Sequence, residues 1–258
     1  MAEYQYISFK IDDRVAEITF RRPPLNILNI AMMREIGDAL AECGHQNDLV
    51  AIVFQAAKEC RAFSAGVAVE EHVPETIYQM LDSFHGIFRS LELIARPTIA
   101  VVDGAALGGG CEVVAGCDIV IASERARFGQ PEIKLGVFPP VAAILLPLAI
   151  GEKRARELIL TGELIGAAEA GHWGLVNHVV PVAHLETKTR EIVARLRELS
   201  GSALEFTRRA LDMGRARTLD EALKESENIY LNELMKTSDA IEGIKAFMEK
   251  RKPVWRNR

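Results

Sequence analysis

The sequence predicts a mixed α/β fold, and three observations carry that prediction. Short continuous apolar runs recur at 50–54, 98–102 and 118–122, the mark of strands buried on both faces. Helical stretches lie between and beyond them, at about 75–95, 109–116 and 152–160, and strands alternating with helices indicate stacked βαβ units. From about 184 onward the pattern is helical, with no further clear strand. The chain therefore divides into an α/β core over 1–183 and a helical region over 184–258.

Each element has a local reason. Over 4–20, Val15, Glu17 and Thr19 alternate with Ala16, Ile18 and Phe20, a period of two, and Asp12-Asp13 marks the turn between two short strands. Arg21-Arg22-Pro23-Pro24 then breaks the sheet. Asn29 suits the N-cap of a helix over 30–44, with Met33, Ile36, Leu40 and Cys43 on one face and Gly44 as the stop. Pro97 leads into the run at 98–102, and 175–180 reads as a weaker fourth strand.

Composition excludes several classes. Of 258 residues, 49% are apolar and 26% charged, as in ordinary globular proteins and unlike disordered ones. No stretch approaches the ~18 uninterrupted apolar residues of a membrane helix. The opening residues lack the basic-then-apolar order of a secretory signal, so a cytoplasmic protein is expected. Lys+Arg is 31 against Asp+Glu 36, and a net charge of −5 argues against a dedicated nucleic-acid binder. Cys43, Cys60, Cys111 and Cys117 form no CxxC pair and do not cluster with histidine at metal-ligand spacing. They read as reduced, partly buried small residues, and no metal is expected; a catalytic thiol is the sharper alternative for Cys111 alone.

Two glycine-rich places stand out. One is Phe63-Ser64-Ala65-Gly66-Val67, after the strand near 50–55. The other is Gly108-Gly109-Gly110, which opens a helix after the strand at 98–102. Neither is a dinucleotide fingerprint or a phosphate loop. A glycine run at a helix start lets backbone N–H groups approach a ligand at the positive end of the helix dipole, which suits a developing oxyanion. It also serves tight packing of helix on strand. Two carboxylates shift the balance toward chemistry. Glu112 follows the glycines on the first turn of an apolar helix, and Glu132 lies between Gly129-Gln130-Pro131 and an apolar stretch running from 133 to 148. Desolvation there should raise their pKa values and make each a candidate acid or base.

These residues, with Cys117-Asp118-Ile119, Phe128-Gly129-Gln130-Pro131-Glu132-Ile133-Lys134-Leu135-Gly136, Gly174-Leu175-Val176-Asn177 and the tail from Ser238 to Arg251, resemble the enoyl-CoA hydratase (crotonase) family nearly end to end. The resemblance implies a crotonase spiral of repeated ββα units with a helical C-terminal trimerisation region, assembled as a homotrimer or a hexamer of two trimers. It implies an acyl-CoA thioester and water as substrates, with coenzyme A part of the substrate and no separate cofactor. The thioester oxygen would be held by the N–H groups of Val67 and Gly109, with Ser64, Ala65, Gly66, Ala68 and Val69 around the CoA ester and Glu112 and Glu132 acting on one water. Lys250-Arg251-Lys252 would be placed to reach CoA phosphates, unless it is only a solvated tail.

The chain departs from ordinary family members in two places. The glycine-rich stretch usual after the second glutamate is replaced by Val137-Phe138-Pro139-Pro140-Val141-Ala142, stiffer and more apolar, and an acidic residue common near Ala65-Gly66 is Ala68. The altered stretch resembles cyclohexa-1,5-diene-1-carbonyl-CoA hydratases of anaerobic aromatic degradation, with Phe138 and Val141 expected on the ring. An ordinary 2-enoyl-CoA hydratase of linear chains is the nearer alternative, and an RNA-binding member of the fold the more distant one.

Overall fold

β1 (Ile7–Asp12) and β2 (Val15–Phe20) pair antiparallel, with Asp12 opposite Val15. Asp13 and Arg14, both at positive φ (42° and 67°), make the two-residue turn. The turn sits one residue later than Asp12-Asp13 because Asp12 keeps its place in the ladder. The computed structural model describes residues 4–213 and 218–257. α1 (Ile30–Gly44) begins where expected: the Asn29 side chain accepts the Met32 N–H, and Met33, Ile36, Leu40 and Cys43 are buried.

The chain then repeats one theme. β3 (Ala51–Ala56) and β4 (Ala62–Ser64) precede α2 (Ile77–Ile94). β5 (Thr98–Val102) and β6 (Ala105–Leu107) precede α3 (Gly109–Ala115). β7 (Ile119–Ser123) and β8 (Arg127–Gly129) precede a 3₁₀ turn (Pro131–Leu135), α4 (Ala142–Ile150) and α5 (Glu152–Thr161). β9 (Leu164–Gly166), α6 (Ala167–Trp173) and β10 (His178–Val180) complete the core. The first strand of each pair enters a six-stranded sheet, β1-β2-β3-β5-β7-β10, parallel beyond the first hairpin. The second strand enters a four-stranded sheet, β4-β6-β8-β9, in which β9 alone is antiparallel. This is the expected spiral of ββα turns.

The apolar runs are buried on both sides, as their lack of alternation requires. Ile52, Phe54, Ala100 and Val102 pack in the core shared with α1 and α2. Ala51, Val53, Ile99, Val101 and Ile121 pack on the other face against Ile192 and Val193 of α7 (Leu185–Arg197). α8 (Gly201–Met213), α9 (Leu219–Asn232) and α10 (Ser238–Met248) follow. Buried Asp239 ties the tail down by accepting the Ser200 hydroxyl (2.6 Å) and the N–H groups of Arg256 and Asn257.

The structure departs from the sequence expectation in three places. The apolar stretch after Pro140 is helical: α4 forms although Pro147 removes one helical donor, and it exposes Ile144 and Leu148. The strand expected over 175–180 is limited to β10, because the N–H groups of Leu175 and Val176 both turn back to the Ala170 carbonyl. The three-residue strands of the small sheet carry no periodic signal and were not expected as strands. Among the described residues, no helix is long and apolar enough to cross a membrane.

Candidate active site

The small sheet presents the candidate residues. At the end of β4, the Ser64 hydroxyl donates to the Asn26 carbonyl (2.8 Å) and accepts the Gly66 N–H (3.2 Å), fixing the turn. The next residues form a short bridge with Leu28: Leu28 N–H donates to the Gly66 carbonyl and Ala68 N–H to the Leu28 carbonyl. Backbone N–H groups alternate in direction along an extended segment, so the Val67 N–H points away from Leu28. After β6, Gly109 is the first residue of α3, and its N–H has no helical acceptor. Among the described residues neither N–H has a hydrogen-bond partner. The two loops touch: a Cβ on Gly66 would lie 3.8 Å from the Gly109 nitrogen. Gly110, by contrast, serves packing, since a Cβ there would lie 2.4 Å from the Ser64 carbonyl oxygen. The packing reading of the glycine run thus holds at Gly110.

Glu112 is 3% exposed, and its Oε1 accepts the Ala142 N–H at the start of α4 (2.7 Å). Burial pushes its pKa up to about 7; the Ala142 N–H opposes the shift and the charge of Glu132 adds to it. Glu132, on the 3₁₀ turn after β8, is also raised by burial. Its Oε2 is buried without a hydrogen-bond partner, a setting that favours the neutral acid.

Both carboxylates open on one cavity of about 440 Å³, also lined by Ala65, Gly66, Val67 and Val69. Val137, Phe138, Pro139 and Pro140 form one wall, and Ile77, Met80, Leu81 and Phe84 of α2 face it. Of the residues expected around the ester, Ser64 and Ala68 lie behind the lining, both buried. Val141 faces an adjoining cavity instead, because the backbone has already entered the helical conformation there. Of the two residues expected on the ring, Phe138 lines the cavity and Val141 does not. The α2 residues at 77, 80, 81 and 84 share one helical face, and that spacing is the sequence signal for this part of the lining. Cys111 is fully buried, does not line the cavity, and burial pushes its thiol up to about 12, so it has no nucleophilic role here. In the Lys250-Arg251-Lys252 cluster, Arg251 is engaged by Glu242 and Glu249.

Residues 10–258 match the family model described as enoyl-CoA hydratase/isomerase. Cyclohexa-1,5-dienecarbonyl-CoA hydratase of Thauera aromatica is 38% identical over 249 residues, 96% of this chain and 95% of that protein. Short-chain-enoyl-CoA hydratase of Clostridium acetobutylicum is 35% identical, covering 97% of each chain. The crystal structure of enoyl-CoA hydratase from Bacillus anthracis superposes with a TM-score of 0.92 at 32% identity, over 98% of this chain and all of that one. The chain belongs to the enoyl-CoA hydratase/isomerase family and has its crotonase fold. Within that family it is a hydro-lyase.

Proposed function

We propose that the enzyme adds water to cyclohexa-1,5-diene-1-carbonyl-CoA, giving 6-hydroxycyclohex-1-ene-1-carbonyl-CoA. One observation carries this reading: buried Glu112, half-buried Glu132 and the unpartnered Val67 N–H line one pocket walled by Phe138, Pro139 and Pro140, with the unpartnered Gly109 N–H close beside Gly66 at its edge. The similarity to the Thauera hydratase supports the choice of ring over chain.

The thioester oxygen accepts hydrogen bonds from the Val67 and Gly109 N–H groups, which stabilise the enolate; losing one such donor typically costs ~3 kcal/mol of barrier. Glu112, whose charged form the Ala142 N–H supports, takes a proton from water as the oxygen adds to the β-carbon. Glu132, with no partner to stabilise a charge at Oε2, gives its proton to the γ-carbon of the dienolate. The remaining double bond stays conjugated to the thioester. Returning the proton from Glu112 to Glu132 resets the pair, and the sum is one water added. No electrons are transferred, so the reaction as written calls for no metal or redox cofactor. The prolines fix two φ angles and offer no N–H to a second water, which limits thioester hydrolysis.

A panel of cyclic and linear enoyl-CoA thioesters, with products identified by mass and NMR, tests this reading. The cyclic diene should have the highest kcat/KM. A preference for crotonyl-CoA would instead make this an ordinary short-chain hydratase. The acid limb of the profile is a second check. A base with a pKa near 7 is ionised above it, so kcat/KM should fall about tenfold per pH unit below about 7. A flat profile down to pH 5 would remove Glu112 as the base.

The same reading takes the protein as a cytoplasmic homotrimer or hexamer. Leu219 and Leu223 of the C-terminal helices are exposed. A monomer mass by light scattering would contradict this.

A further inference from the structure

We propose that Phe84, Phe88 and Pro140 form a partition that sets how long an acyl group the enzyme accepts; this rests on the 440 Å³ cavity being the hydratase site. A second cavity, of about 660 Å³, lies beside the first. The same two helices pass along both. On α2, Phe84 lines the first cavity and Phe88, one turn later, lines the second. On α3, Glu112 faces the first cavity and Ala115 the second. Pro140 lines both.

Between them the two phenylalanine rings meet edge to face, with centroids 5.2 Å apart. Each ring is seated on a glycine. A Cβ on Gly109 would lie 3.1 Å from the Phe84 ring, and one on Gly116 would lie 3.0 Å from the Phe88 ring. The missing side chains on α3 are what let both rings close the gap. Pro140, which lines both cavities, adds a backbone of fixed φ between them.

Beyond the partition, Ala115, Val141, Ile144, Leu145 and Leu148 offer an apolar lining. Of the charges on that cavity, Arg208 pairs with Asp118 (2.9 Å) and Asp212 (3.6 Å) and Arg89 with Asp82 (3.3 Å), while Glu92 is exposed to solvent. Burial holds His85 toward its neutral form. An alkyl tail entering there would leave the Arg208 pairs intact and the exposed Glu92 in water. The second cavity is therefore an acyl-tail chamber closed off in this chain, and the partition confines the substrate to a compact acyl group.

Affinity for unreactive saturated acyl-CoAs from butyryl to dodecanoyl, measured by titration calorimetry, tests this without relying on turnover. In the unmodified enzyme, affinity should stop rising after the short esters. In Phe88→Ala and in Phe84→Leu/Phe88→Ala, it should go on rising with length, by up to about fourfold per methylene. Adding Leu145→Trp, which fills the second cavity, should cancel the gain. Phe88→Leu, a milder change, serves if the double variant does not fold. The proposal is overturned if the unmodified enzyme shows the same rise with length, if folded variants show none, or if Leu145→Trp leaves the gain intact. Crotonyl-CoA hydration, followed in parallel, reports separately on the hydratase reading.

Discussion

Glu112→Gln and Glu132→Gln should each lower kcat by about 10²–10⁴-fold while the Kd for an unreactive acyl-CoA changes little. The amide keeps the shape and, at position 112, can still accept the Ala142 N–H, but it neither takes nor gives the proton. Near-normal turnover in either variant would remove that residue from the mechanism. Stability supplies a second readout for Glu112. Its folded pKa of about 7 lies above the ordinary 4.5, so the folded state holds the proton more tightly than the unfolded chain. The ionised side chain therefore opposes folding, not at all below about pH 4.5 and fully above about pH 7. Replacing it by glutamine removes a burden of order 3 kcal/mol at pH 8 and little at pH 4.5, less whatever the amide loses by burying an unpartnered NH₂. Glu112→Gln should melt several degrees higher than the parent at pH 8, with the gap closing at low pH. A gap independent of pH would show that the group does not titrate in this range.

Gly108→Ala should be nearly as damaging through a different route. Gly108 has φ 50° and ψ −125°, a region that side chains other than glycine avoid, and an added Cβ would lie 2.4 Å from Glu132 Oε1. The strain costs ~1–3 kcal/mol, and the carboxylate, being the flexible partner, must swing aside. A displacement near 1 Å is enough to lower turnover about 100-fold. Gly151→Ala is the control: it shares the positive φ (79°) but has open space around it, so it should lose stability with turnover intact. If Gly108→Ala keeps turnover within a few fold, the placement of Glu132 against Gly108 is not needed.

What the sequence revealed depended on element length and on direction. Ala51 to Phe54 and Thr98 to Val102 announced themselves because strands buried on both faces show as unbroken apolar runs. α1 was legible because Asn29 and its apolar face agree. The strand Ala105–Leu107, three residues between glycines, is too short for a period of two to show, and the same holds for Ala62–Ser64 and Arg127–Gly129. α4 was hidden by its interior proline and by being apolar on all sides, which erases the helical stripe. At the site, residue identities were legible and orientations were not. Glu112 and Glu132 stood out beside their glycines. That the Ala142 N–H holds Glu112, and that Val141 turns to the neighbouring cavity, follows from where α4 starts, which no local pattern encodes.

β4, β6 and β8 lie side by side and parallel in the small sheet. Val67 follows the first, Gly109 the second and Glu132 the third. Hydrogen-bonded strands stand about 4.8 Å apart whatever side chains they carry. The sheet is thus a ruler, graduated by backbone hydrogen bonds and read at the loop tips. Exchanging a loop residue changes what is displayed at a mark and leaves the marks in place. A frame of this kind can keep its grip on a thioester oxygen while the group presented one strand away is replaced, so new chemistry can be tried without refitting the substrate.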